Sequence, residues 1–170
     1  MLSPSAESLA PLRNPSFDPF VEEMRAAGVL VFDPAPLLLE EKARGGEPLY
    51  LATDTHWRPH AVELVAARLA EFIREIVELD EVEDPGYLLE DAEVSHHGDL
   101  AAMLRLPAGQ QAFPPERVTV RQVVTADDLL WRLDREADVL LLGDSFANVY
   151  SLAGLGWGEG AGLAEHLSYH

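Results

Sequence analysis

Apolar and polar positions follow two rhythms along this chain. Between residues 59 and 79, apolar side chains recur at Val62, Val65, Ala66, Leu69, Phe72, Ile73, Ile76 and Val77, the spacing of one helix face. "SFDPFVEEMRAAG" predicts a shorter helix, with Asp18 as cap, Pro19 in the first turn and Gly28 as its stop. "PAPLLLEEKARGG" predicts another, closed by Gly45 and Gly46. Short apolar runs lie between them at 29–33 and 49–53, an alternating run at 117–124, and a run at 138–143 that is apolar after Asp138. "ADDLLWRLDREA" predicts a helix and a further one follows Ser145, while 81–115 reads as loop with a short helix at "DLAAMLRL". The order strand, helix, strand, helix predicts an α/β layered fold with a largely parallel sheet, one domain over 1–170. A largely apolar strand such as 138–143 suits the middle of a sheet covered on both faces.

Composition narrows the function. The chain has 170 residues, 48% of them apolar, enough for one real core. No apolar run approaches the ~20 residues that cross a bilayer, so no membrane span is expected. The first residues, "MLSPSAESLAPLRNPSF", show no basic region followed by an apolar stretch, so no export signal is visible. With no cysteine, disulfides and thiolate metal sites are excluded. The formal net charge is −18, which argues against nucleic acid, since phosphate contacts need clustered Lys and Arg. Much of the acid is local: residues 71–93 hold ten carboxylates and one base, Arg74, a solvated face and loop.

Two polar clusters stand at the ends of apolar runs, where α/β sheets carry their sites. One is Gly143-Asp144-Ser145. A hydroxyl at such a turn opens a helix whose amides can hold an oxyanion, but serine needs a base; read alone, the triplet is more simply a helix cap. The other is Thr53-Asp54-Thr55-His56-Trp57. Residues two apart on extended chain point the same way, so Asp54 could hold the His56 tautomer while the other ring nitrogen takes a proton. A rival metal reading uses His56, His60 and Glu63. It fails the zinc-helix pattern, because Trp57 stands where the glutamate is needed and Pro59 starts the helix after His56. No metal and no cofactor are therefore expected. His96 and His97 could line a cleft or bind a partner but read more simply as exposed loop histidines, and His166 and His170 form no constellation.

"TDTHW" (53–57) together with "LLGDSF" (141–146), and "GDLAAMLRLP" (98–107) between them, resemble the alginate O-acetyltransferase family. These are SGNH-hydrolase-like proteins that acetylate exopolysaccharides outside the cytoplasmic membrane. The resemblance implies a three-layer SGNH-like domain with the Asp-x-His before the Gly-Asp-Ser, the reverse of ordinary SGNH esterases. It makes Ser145 the nucleophile, His56 the base and Asp54 its orienting acid, with the Ser145 amide in the oxyanion hole. It implies a polysaccharide or oligosaccharide acceptor, an acetyl donor such as a membrane acetyl-transfer protein, and a periplasmic location. The family continues past the serine helix with further strands, so a fragment or reduced form is expected, incomplete at its C-terminus. The acidic composition favours a neutral polysaccharide over alginate itself. A carbohydrate acetylesterase with the same triad, and a catalytically silent polysaccharide-binding or assembly module, are the alternatives.

Overall fold

The computed structural model describes residues 12–79, 85–107, 109 and 112–170. The chain forms two compact units, Met1–Asp33 and Pro34–His170. In the first, helix α1 (Phe17–Ala26) buries Val21, and the amide of Val29 turns back onto the carbonyl of Met24 through Gly28 at φ +82°. Arg13 lies over the Phe17 ring at 4.5 Å and reaches Asp18 at 2.9 Å and Asp33 at 3.3 Å.

The second unit is built on α3 (Pro59–Ile76), preceded by α2 (Ala35–Ala43). Of the face that the helical spacing predicts, Val62, Val65 and Ala66 are buried, together with Ala61 and Ala70, while Leu69, Phe72 and Ile73 are half-buried and Ile76 and Val77 exposed. The helix ends three residues before the expected 79, because Val77 turns to an extended conformation. Two strands, β1 (Leu88–His96) and β2 (Glu116–Val124), pair antiparallel from Leu88 opposite Val124 to His96 opposite Glu116. Val118, Val120, Val123 and Val124 of β2 are buried, and α3 packs against β2 and against the C-terminal helix α6 (Leu163–Tyr169). Burying one such valine contributes roughly 1.5–3 kcal/mol. Two short helices, α4 (Asp99–Met103) and α5 (Ser145–Asn148), complete the unit.

The sheet corrects the expectation of a largely parallel one: among the described residues the ladder has two strands and is antiparallel. Neither the run at 29–33 nor the run at 138–143 forms a strand. Branched apolar residues favour extended backbone, yet a strand exists only where a neighbour completes its hydrogen bonds. Leu140 and Leu142 are 82% and 83% exposed, so 138–143 is no buried central strand here. The run at 49–53 folds back on itself instead. Leu51 donates to the His56 carbonyl at 3.0 Å, and Arg58 donates to the Leu49 carbonyl at 2.8 Å, closing a tight hairpin.

Residues 126–137 are not helical either. The Thr125 carbonyl accepts from Asp128, which sits at φ +57°, and the Thr125 amide donates to the Leu129 carbonyl. This turn sends Trp131 back to donate to the Val123 carbonyl at 2.8 Å, and Leu129 and Leu133 stay exposed. An unsatisfied amide edge at the end of β2 outweighs a helical spacing with nothing to bury against. β1 lies in the stretch read as loop. Its acids alternate outward, at Asp91 and Glu93, with less exposed Ala92 and Val94 between them, so the charge run masked a period of two.

Candidate active site

The hairpin at 49–58 carries Asp54 and His56 at its tip, both buried, at 5% and 8% exposure. The Asp54 carboxylate accepts from every side. Oδ1 takes the His56 amide at 3.1 Å and meets His56 Nδ1 at 2.5 Å. Oδ2 takes the Asp99 amide and the Trp157 indole N–H, each at 2.9 Å. Burial raises the Asp54 pKa, but the donors Trp157, His56 and Asp99 more than offset it, and the carboxyl is held below its usual range. With Nδ1 donating to Asp54, Nε2 carries the ring's lone pair. That atom is buried with no hydrogen-bond partner among the described residues.

Three close approaches fix this tip. A side chain on Gly98, at φ +77°, would place its Cβ 2.2 Å from the Thr53 carbonyl oxygen, so only glycine fits. The next residue, Asp99, then opens α4 and holds Thr55 twice, through its amide at 2.8 Å and its hydroxyl at 2.6 Å. Behind the tip, Ala101 donates to the Thr53 carbonyl at 3.2 Å.

The Gly-Asp-Ser turn reaches the same place from the other end of the chain. Asp144 caps α5 by accepting from the Phe146 amide at 2.9 Å, so it serves the turn and not the histidine. Gly143 is obligatory, since a Cβ there would lie 2.5 Å from that of Ala147. Ser145 is exposed at the first position of α5. Its neighbour Phe146 bridges the two clusters: its ring lies 5.0 Å from the His56 ring, and its carbonyl accepts the Trp57 indole N–H at 2.9 Å. The Tyr150 hydroxyl donates to the Trp57 carbonyl at 2.7 Å, a second tie. No hydrogen bond joins Ser145 to His56 Nε2, and the link between the two clusters runs through Phe146. Catalytic hydrogen bonds commonly tighten only when substrate is bound.

Asp54, His56 and Asp99 each offer a ligand atom within 4.8 Å of one another, so this trio is where a cation would be sought. The donor set does not fit one. Both Asp54 oxygens accept N–H groups, both Asp99 oxygens hold Thr55, and His56 Nδ1 is engaged with Asp54. His60 and Glu63 are drawn elsewhere, His60 toward Glu47 at 3.9 Å and Glu63 onto Arg121. Of the remaining histidines, His96 packs edge-on against Trp157, His97 is exposed and His166 is buried on α6. Burial pushes the His166 pKa down to about 4.

Sequence reasoning missed Asp99 and Trp157. The signal for Trp157 was present in "GLGWGEG", a tryptophan between glycines, which marks a loop pressed against its neighbours.

A buried aspartate–histidine pair and a Gly-Asp-Ser turn are thus joined through Phe146 in one unit. The chain matches, over residues 3–155, the family described as "SGNH hydrolase-like domain, acetyltransferase AlgX", and it belongs to that family. It is 34% identical over 141 residues to the probable alginate O-acetylase AlgJ of Pseudomonas aeruginosa, covering 82% of this chain and 36% of that protein. It is also 34% identical over 117 residues to the protein of the same name from Pseudomonas fluorescens, covering 64% of this chain and 29% of that one. Among solved structures it is similar to the O-acetyltransferase domain of Pseudomonas putida AlgJ, with a TM-score of 0.64 and 25% identity, over 96% of this chain and 55% of that one. The chain spans about a third of the length of these curated relatives.

Proposed function

We propose that the chain is an acetyl-transfer domain working through Ser145, His56 and Asp54, with 1–170 acting as one SGNH-like domain. The observation that carries this is the buried, unpartnered His56 Nε2, held in its tautomer by Asp54 and tied to the serine turn through Phe146. Ser145 Oγ attacks the acetyl carbonyl carbon and its proton passes to His56 Nε2. The oxyanion forms beside the Ser145 amide, since the Phe146 amide is committed to Asp144. Collapse leaves acetyl on Ser145 Oγ, and the departing group takes the proton from His56. An acceptor hydroxyl then loses its proton to His56, attacks the acetyl-serine, and regenerates the serine hydroxyl with that proton.

The likeness to alginate O-acetylases supports a polysaccharide acceptor, with alginate as the first candidate. The proposal also takes the setting to be extracytoplasmic and the acetyl group to come from a partner. No helix among the described residues is long and apolar enough to cross a membrane. The net charge of −18 opposes a polyanion, so a neutral acceptor is expected to compete well. A second reading, a carbohydrate acetylesterase, is favoured by the exposure of Ser145, which lets water take the acceptor's place.

The test uses a chromogenic acetyl ester with and without alginate or neutral oligosaccharides, beside Ser145→Ala. Acetylated sugar that disappears in the variant supports transfer, and acetate alone supports the esterase. Equal behaviour of variant and parent rejects both.

A further inference from the structure

The serine, the histidine and the aspartate leave Trp157 unexplained. This indole is 1% exposed, among the most buried large side chains in the chain. Its N–H is spent on Asp54 Oδ2, a carboxylate oxygen 103 residues away in sequence. The loop that delivers it has no slack. Gly156 and Gly158 flank it at φ +85° and +89°, where side chains are strained. A Cβ on Gly156 would lie 2.5 Å from His96 Nε2, and one on Gly158 would lie 3.0 Å from Val94 Cγ1. The His96 ring stands edge-on to the indole at 5.3 Å, and its Nδ1 accepts the Gly98 amide at 3.1 Å. The strand β1 thus presses the tryptophan into place, and through Gly98 the same histidine anchors the α4 entry that supplies the Asp99 amide.

We propose that Trp157 is a positioning residue for the acid–base pair: by occupying Asp54 Oδ2 together with the Asp99 amide, it leaves Oδ1 as the oxygen turned to His56 Nδ1. A carboxylate can rotate about its Cβ–Cγ bond and offer either oxygen. Two donors on one oxygen, the Trp157 one buried and the Asp99 one part-buried, stop that rotation in one orientation. The effect on chemistry runs through His56, because only a fixed Oδ1 keeps the ring in the tautomer and direction that turn Nε2 away from Asp54.

The inference rests on the acetyl-transfer reading for its kinetic arm only. Its first readout needs no substrate: the low-field Nδ1–H proton resonance of His56 in the full chain. Trp157→Phe, which keeps a ring and removes the donor, is expected to broaden or abolish that resonance. On the acetyl ester it lowers kcat about 10- to 100-fold, the size of one hydrogen bond to a charged group, with KM little changed. In an Asp54→Asn background the same change has no further effect on kcat, since the group it acts through is already neutral. An unchanged His56 resonance in Trp157→Phe overturns the proposal, and so does an equal loss of kcat in both backgrounds. If no variant or parent transfers acetyl, the functional reading fails and the resonance alone decides the role of Trp157. Should Trp157→Phe not fold, hydrogen exchange of the Trp157 indole N–H decides: faster exchange in Asp54→Asn than in the parent supports the bond, and equal exchange overturns it.

Discussion

The hairpin tip at 53–57 and the turn at 143–148 meet at one site but are built in opposite ways. The tip is buried, its aspartate engaged by N–H groups from three residues, its backbone pinned by Gly98 and Asp99. The turn is exposed at Gly143, Asp144 and Ser145 and holds itself with one cap and the Asn148 amide on the Asp144 carbonyl at 2.7 Å. In the proposed mechanism the base is held dry and in one tautomer before substrate arrives, and the nucleophile is reachable by both a donor and a bulky acceptor. Rigidity is therefore concentrated on the histidine side and access on the serine side.

The sharpest test of this contrast separates activity from stability. Ser145→Ala is expected to lower acetyl-ester turnover about 10⁴-fold or more, while thermal unfolding moves by less than about 0.5 kcal/mol, as for other exposed changes. Asp54→Asn should lower turnover by about 10³- to 10⁴-fold and also destabilise by about 3 kcal/mol, because it breaks a buried network. If Asp54→Asn leaves unfolding unchanged, the tip is not the rigid half.

The support shared by both halves has its own weakness. His166 on α6 is kept neutral by burial, with Glu63 of α3, Arg121 of β2 and His170 as its charged or titratable neighbours. Its folded pKa of about 4 lies below the unfolded value near 6.5, so the unfolded chain binds the proton first. This contribution is complete above about pH 6.5 and is lost as pH falls toward 4, on the order of 3 kcal/mol. Denaturant unfolding of His166→Gln across that range should show a flatter pH dependence than the parent. The smallest effect is expected at the bridge: Phe146→Ala should cost about tenfold in turnover and about 2 kcal/mol in stability. A Phe146→Ala protein with full activity would mean that the two halves are aligned by Trp57 and Tyr150 alone.

Much of the site could be read from residue order. Both polar clusters were found, the structure brings them together, and the cap role of Asp144 follows from a carboxylate one residue before a helix. The α3 face was legible for the same reason, a long period with valines and alanines on one side. What stayed hidden depends on distant partners. The runs at 49–53 and 138–143 carry the same apolar signal, yet one closes a hairpin on Arg58 and the other finds no ladder. Nothing local distinguishes them, since pairing is a property of the neighbour. Asp99 and Trp157 were missed because they act on Asp54 from 45 and 103 residues away.

The tie from the Trp57 indole to the Phe146 carbonyl spans 89 residues of chain. Closing a loop of that length is entropically costly and comes late when a chain assembles from local pieces. The α3 helix and the β1–β2 hairpin can form from near neighbours, whereas the Trp57–Phe146 tie waits for the two ends of the unit to dock. Recovery of the proposed acetyl-ester turnover during refolding should therefore lag behind recovery of helical signal, which makes that chemistry a clock for the last step of folding.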